Sequence, residues 1–215
     1  MKFKGVIFDL DGTLVNSLED LADSMNIVLK SYNYPTHNYE QYKNFIGGGI
    51  KNLVSKSLPQ KQNDEKLINS CFHKMLEVYS SNCTNKTKPY EGIIELLDNL
   101  ISRNIKLSVL SNKSDAFTKK IAATLFPNYF DPVIGLSIEK LKKPNPFVAL
   151  EISKNLGIKS KELIYIGDTG IDMQTANNAN MFAVGVLWGF RTEEELISNG
   201  AKYLLRKPLD LIKIL

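Results

Sequence analysis

The chain has 215 residues, 43% of them hydrophobic and 23% charged, with a net charge of +4. These proportions exclude a disordered chain and leave room for one full core plus a smaller appended unit. No stretch approaches a membrane span, and no basic run interleaved with aromatics marks a nucleic-acid surface, so neither is an expected partner.

The first predicted strand, Phe3 to Leu10, holds the compact run Val6-Ile7-Phe8 and stops at the turn pair Asp11-Gly12. From Leu18 the period changes: Leu18, Leu21, Met25, Val28, Leu29 and Tyr32 fall at helical spacing. Further helices are predicted over Asn38 to Phe45, Ile50 to Leu58, and Asp64 to about Asn82. Gly47-Gly48-Gly49 interrupts this stretch. It lacks the spacing of a nucleotide P-loop and no strand precedes it, so it reads as a hinge or a close backbone approach. No convincing strand falls between Leu18 and Asn85, and Thr84 to Pro89 reads as a linker.

Beyond the linker the pattern alternates. Helices are predicted over Gly92 to Arg103, Asp115 to Leu125, Pro146 to Leu156, Asp172 to Asn178 and Thr192 to Ser198, with a further helix at the end. Strands are predicted over Ile105 to Leu110, Phe130 to Ile134, Glu162 to Ile166, Phe182 to Val186 and Ala201 to Leu205. Gly157 is placed to end one helix, and Thr192 with Glu195 has the spacing of a capping box. Strands alternating with helices mean a parallel sheet covered on both faces. The expected fold is therefore α/β, a doubly wound, Rossmann-like parallel sheet built from residues 1–17 and 86–215. Residues 18–85 form an inserted all-helical cap, with hinges expected near Val15 to Ser17 and Lys86 to Pro89.

Cys71 shares an apolar stripe with Leu67, Ile68, Met75 and Tyr79, which points to a buried core thiol. The chain's two cysteines show no metal or redox spacing and fit a reducing compartment. The opening MKFKGVIFDLDG has too short an apolar run for a signal peptide, so a cytoplasmic location is expected. His37 and His73 have no partner constellation and read as structural.

In open α/β sheets, ligands bind beyond the carboxyl ends of the strands. There the sequence places Asp9-Leu10-Asp11-Gly12-Thr13, Ser111-Asn112-Lys113 and Gly167-Asp168-Thr169-Gly170-Ile171-Asp172, with Lys142-Lys143-Pro144 in a loop. Each string alone has a bland reading: a turn, a helix cap, a solvated lysine. Their order in one chain, each just past a strand, makes that reading of the whole set much poorer. Clustered carboxylates need a neutralising cation, and oxygen ligands beside a phosphate point to Mg²⁺. A lysine, a serine hydroxyl and turn N–H groups suit the oxyanion, so phosphoryl transfer is the implied chemistry.

The motifs FDLDGTLVNS (Phe8 to Ser17), VLSNK (Val109 to Lys113), KKPNP (Lys142 to Pro146) and IGDTGID (Ile166 to Asp172) resemble the haloacid dehalogenase-like hydrolases. With VGVLWGF (Val184 to Phe190), the chain is similar to their phosphoglycolate phosphatase-like branch. The resemblance implies that Asp9 attacks phosphorus and that Asp11 protonates the leaving alkoxide and then activates water. It implies Mg²⁺ held by Asp9, the main-chain carbonyl of Asp11 and Asp168. Ser111 and the N–H of Asn112 would bind phosphate, Lys143 would bridge nucleophile and phosphate, Asp172 would orient Lys143 or a metal-bound water, and Thr13 would steady the nucleophile loop. Asn180 stands where relatives often have glycine, and asparagine tolerates the left-handed backbone such a turn needs.

The implied activity is hydrolysis of small phosphate monoesters, phosphoglycolate first, with a small phosphorylated metabolite as partner. Alternatives are pyrophosphate hydrolysis, a sugar-phosphate mutase, and a non-catalytic binding protein. A mutase is disfavoured by Gly167, where mutase relatives tend to carry an acid. Monomer and homodimer are both open.

Overall fold

The computed structural model describes residues 2–59 and 64–215. In chain order its elements begin with β1 (Gly5–Phe8), β2 (Val15–Asn16), α1 (Leu18–Ser31), α2 (Tyr39–Phe45), α3 (Ile50–Ser57), α4 (Glu65–Asn82) and β3 (Lys88–Pro89). They continue with α5 (Ile93–Ser102), β4 (Lys106–Ser114), α6 (Asp115–Leu125), β5 (Val133–Leu136) and α7 (Phe147–Leu156). The last are β6 (Leu163–Gly167), α8 (Gly170–Asn178), β7 (Phe182–Val186), α9 (Glu193–Ser198) and β8 (Tyr203–Leu205). Two compact units result, Met1–Val15 with Pro89–Leu215, and Asn16–Lys88. At the two chain crossings the short strands β2 and β3 pair with each other.

The larger unit is built on a six-stranded sheet in the order β5-β4-β1-β6-β7-β8, with every adjacent pair parallel. This is the doubly wound order. The chain runs outward from β1 through β4 to β5, then returns to the other side of β1 as β6, which puts a switch point between β1 and β6. Strands β1 and β6 are buried along their whole length, as a sheet covered on both faces requires. One core cluster packs Ile7, Leu163 and Tyr165 of the central strands against Ala149 and Ile152 of α7 and Met173 and Ala176 of α8.

Several boundaries differ from the sequence-based expectation, each for a local reason. β4 runs on through Ser111, Asn112 and Lys113 to Ser114, with a register shift against β5 between Leu110 and Ser114. These three polar side chains are buried, so a reading of hydrophobicity alone ends the strand too early. β5 opens at Val133 rather than Phe130, because Pro132 has no N–H to donate. The chain already runs beside β4 there, with Asp131 donating to Leu107 and Pro132 accepting from Val109. α8 starts at Gly170 rather than Asp172, because Thr169 is its N-cap and Asp172 closes the capping box from the N3 position. The final helical segment, Pro208–Ile214, is a 3-10 helix. Asn180 adopts φ +54°, left-handed as its turn requires.

In the smaller unit, helices α1 to α4 pack on one another. Met25, Val28, Leu29, Tyr42, Leu53, Val54, Met75 and Tyr79 are buried, as are the free thiols Cys71 and Cys83. Asn26 ties α1 to the chain entering α2: its side chain donates to His37 O at 2.9 Å and accepts from His37 N and the Tyr42 hydroxyl. The His37 ring contacts Ser57 O at 2.8 Å and meets Phe45 edge-on, which is a structural role. Buried Asp20 on α1 accepts from the N–H groups of Lys86 and Thr87 and from the Thr87 hydroxyl. It thereby fixes the end of this unit just before β3.

Candidate active site

Every sequence-predicted site residue lies in the larger unit. Parallel pairing aligns the strand ends, with Phe8 opposite both Val109 and Ile166. Asp9 therefore emerges level with Leu110 and Gly167, at the switch point, and its N–H donates to Ile166 O at 2.8 Å. Asp11, Ser111, Asn112 and Asp168 follow from the same edge. The loop before α7 brings in Lys143, and the first turn of α8 brings in Asp172.

Lys143 is the hub. Its ammonium lies 2.9 Å from Asp9 Oδ1 and 2.7 Å from Asp172 Oδ1, and it donates to Leu110 O at 3.3 Å. Asn112 clamps the Lys143 backbone, its Oδ1 accepting from Lys143 N at 2.9 Å and its Nδ2 donating to Lys143 O at 3.4 Å. The Asn112 side chain thus positions the lysine, a contact no motif spacing reveals. Asp172 spends its second oxygen on Thr169, accepting from N at 3.1 Å and from the hydroxyl at 2.6 Å. Tyr165 donates its hydroxyl to the same Leu110 carbonyl at 3.3 Å, beneath the lysine.

Asp168 is fully buried and held from two sides. Phe190 N donates to Oδ2 at 2.8 Å, and the Thr13 hydroxyl reaches Oδ1 at 3.5 Å. Trp188 Nε1 donates to Thr13 O at 3.0 Å, so the loop after β7 braces both residues. Gly12 has φ +81°, and a Cβ there would come within 2.3 Å of Asp168 Oδ2. Only glycine lets the Asp9–Thr13 loop approach the carboxylate so closely. At Gly167 a Cβ would meet the Asp172 Cβ and Cγ at 2.2 Å, so an acidic side chain at that position requires Asp172 to move.

One oxygen from each of Asp9, Asp168 and Asp172 lies within 4.8 Å of the others, all three residues being buried. Burial pushes the Asp9 carboxyl up to about 7 against the pull of Lys143, with Asp172 and Asp11 adding to the rise. Burial, then Asp172 and Asp9, hold Asp168 well above the usual carboxylate range. Burial alone would lower Lys143, yet Asp172 and Asp9 outweigh it and keep the ammonium charged. Buried carboxylates crowded in this way could hold a hard divalent cation through their oxygens. Both Asp172 oxygens are committed to Lys143 and Thr169, whereas Asp9 meets Lys143 through Oδ1 alone.

The sequence reading did not single out the role of Lys113. Its ammonium forms a buried ion pair with Asp11, 3.0 and 2.8 Å from the two carboxylate oxygens. No local signal marks it, because the strand register shifts between Leu110 and Ser114 and the partner lies 102 positions away. Ser111 Oγ accepts from Lys113 N at 3.2 Å, tying the two together.

The sequence pattern of the haloacid dehalogenase-like hydrolases matches residues 6–186. The chain is 33% identical over 211 residues to a phosphoglycolate phosphatase of Aquifex aeolicus, covering 98% of this chain and 95% of that one. It is 29% identical over 204 residues to a phosphoglycolate phosphatase of Colwellia psychrerythraea, covering 92% and 90%. A crystal structure from Lactobacillus delbrueckii subsp. bulgaricus superposes with a TM-score of 0.92 at 29% identity, covering 100% of this chain and 98% of that one. With that match across most of its length, on a doubly wound sheet whose switch point gathers Asp9, Asp11, Lys143, Asp168 and Asp172, the chain belongs to the haloacid dehalogenase-like hydrolases.

Proposed function

We propose that the protein is a Mg²⁺-dependent phosphatase of small phosphate monoesters, acting through an aspartyl-phosphate on Asp9, with 2-phosphoglycolate as its substrate. The observation that carries this reading is the buried Asp9, Lys143 and Asp172 array at the switch point, with Asp168 beside it. The substrate follows from the phosphoglycolate phosphatases to which the chain is similar along nearly its full length.

Asp9, the Asp11 main-chain carbonyl and Asp168 are the residues that would hold Mg²⁺. When bound, the ion neutralises the carboxylates and the phosphate charge. An Asp9 oxygen attacks phosphorus, the ester P–O bond breaks, and its electron pair passes to the alcohol oxygen. The Asp11 carboxyl, in its acid form, gives that oxygen a proton. Water then attacks the phosphorus of the aspartyl-phosphate while Asp11 takes its proton. The bond to Asp9 breaks, freeing inorganic phosphate. Lys143 offsets charge on Asp9 and the transferring group, and Asp172 holds Lys143 in place. Ser111 and the Asn112 N–H receive phosphate oxygens. The inserted helical unit, Asn16–Lys88, takes the part of a cap.

The test is phosphate release from 2-phosphoglycolate, pyrophosphate, a sugar phosphate and a nucleotide monophosphate, with Mg²⁺ and with chelator. The proposal expects metal-dependent release, highest on 2-phosphoglycolate, and its loss in Asp9→Asn. Release that survives Asp9→Asn overturns the nucleophile, and a preference for pyrophosphate or nucleotides overturns the substrate.

A further inference from the structure

Lys113 stands apart from the phosphate-handling groups. Its ammonium pairs with Asp11, whereas that of Lys143 pairs with Asp9 and Asp172. The side chains of Lys113 and Asp11 are only 2% and 13% exposed. Desolvating both charges offsets most of their attraction, so a buried pair of this kind contributes little net stability, and its presence calls for another explanation. The lysine is also held rigidly. Its N–H donates to Ser111 Oγ at 3.2 Å and its carbonyl accepts from the Thr118 hydroxyl at 3.2 Å. The backbone of β5 crosses so close that a Cβ on Gly135 would come within 2.7 Å of the same carbonyl.

We propose that Lys113 is a specificity-determining residue, whose ammonium binds a carboxylate carried on the alcohol side of the ester, one carbon from the ester oxygen. The inference rests on the phosphatase reading, with Asp11 as acid to the leaving oxygen, and adds to it the residue that reads the leaving group. An acid acts at about 3 Å from the atom it protonates. Lys113 Nζ lies 2.8 Å from Asp11 Oδ2. The leaving oxygen and Nζ therefore stand at most about 6 Å apart. In a carboxymethyl ester, ordinary bond lengths put the carboxylate oxygens about 3 Å from the ester oxygen. A charge-assisted hydrogen bond of about 2.8 Å covers the rest. A carboxylate placed there also faces Asp11, and a cation is what makes an anion tolerable beside it. A neutral substituent of equal size gains nothing from Lys113.

The test compares kcat/KM for 2-phosphoglycolate and for 2-hydroxyethyl phosphate, which replaces the carboxylate by a neutral hydroxymethyl group. It uses wild type, Lys113→Gln and Lys113→Arg, each checked for folding by thermal melting. One hydrogen bond to a charged group corresponds to a preference of about ten- to hundredfold for 2-phosphoglycolate in the wild type. Lys113→Gln is expected to erase most of that preference, and Lys113→Arg to keep part of it. Equal loss on both esters in Lys113→Gln overturns the inference and leaves Lys113 a positioning residue for Asp11. A wild type that hydrolyses both esters without preference also overturns it, needs no variant, and leaves the phosphatase reading standing. Phosphate release from neither ester removes the phosphatase reading and the inference with it.

Discussion

Asp9 is buried among like charges, so the fold holds it at a thermodynamic disadvantage whenever no cation is bound. Its carboxyl is raised from the ordinary 3.8 to about 7, by burial above all. A carboxyl whose pKa is raised on folding lends stability that is intact below its unfolded pKa and is lost as pH climbs through the folded value. The loss therefore begins near pH 4 and is complete a little above pH 7. At about 1.36 kcal/mol per pH unit it totals about 4 kcal/mol, of which about 2–3 kcal/mol falls between pH 5 and pH 8. Asp9→Asn has no such charge. Its stability relative to wild type is expected to rise by about 2–3 kcal/mol from pH 5 to pH 8 in the presence of chelator. The raised Asp168 carboxyl acts in the same direction, because it too is relieved when Asp9 is neutral. Urea unfolding at both pH values, with and without Mg²⁺, measures the difference. Added Mg²⁺ should flatten the wild-type pH dependence, because it binds the ionised cluster and stabilises the folded state by mass action. A relative stability of Asp9→Asn that stays constant from pH 5 to pH 8 in chelator would refute the raised Asp9 carboxyl on which the metal argument rests.

Two further predictions concern residues outside the direct chemistry. Gly167→Ala forces a methyl against Asp172 and should lower stability by about 1–3 kcal/mol. Because Asp172 holds Lys143, kcat should fall more than KM changes, as steady-state kinetics beside a denaturant titration will show. Asp20→Ala strips the buried N–H groups of Lys86 and Thr87 of their acceptor and should cost about 2–4 kcal/mol. Hydrogen exchange should report that loss first at Thr87. Unchanged protection there would mean that other groups hold the end of the helical unit.

The sequence made the strand-end chemistry legible because it is local. Asp9, Asp11, Asp168 and Asp172 each sit within a few residues of a strand that hydrophobic patterning identifies, and ligands in such sheets gather at strand ends. The change from alternating to helical period marked the inserted helices in the same way. Patterning failed where polar side chains are buried. β4 continues through Ser111, Asn112 and Lys113, and no hydrophobicity signal follows a strand into its own active site. Capping chemistry shifted the start of α8, since Thr169 and Asp172 satisfy each other's backbone groups.

The sequence by itself determined which residue types stand at the strand ends, and with them the class of chemistry, because backbone propensity and hydrophobic period act over a few neighbours. Only the tertiary structure decided who pairs with whom. Asn112 clamps Lys143 across 31 positions, Lys113 meets Asp11 across 102, and Trp188 braces Thr13 across 175. Those distances are fixed by strand order and register, which the whole core sets together and no local pattern encodes.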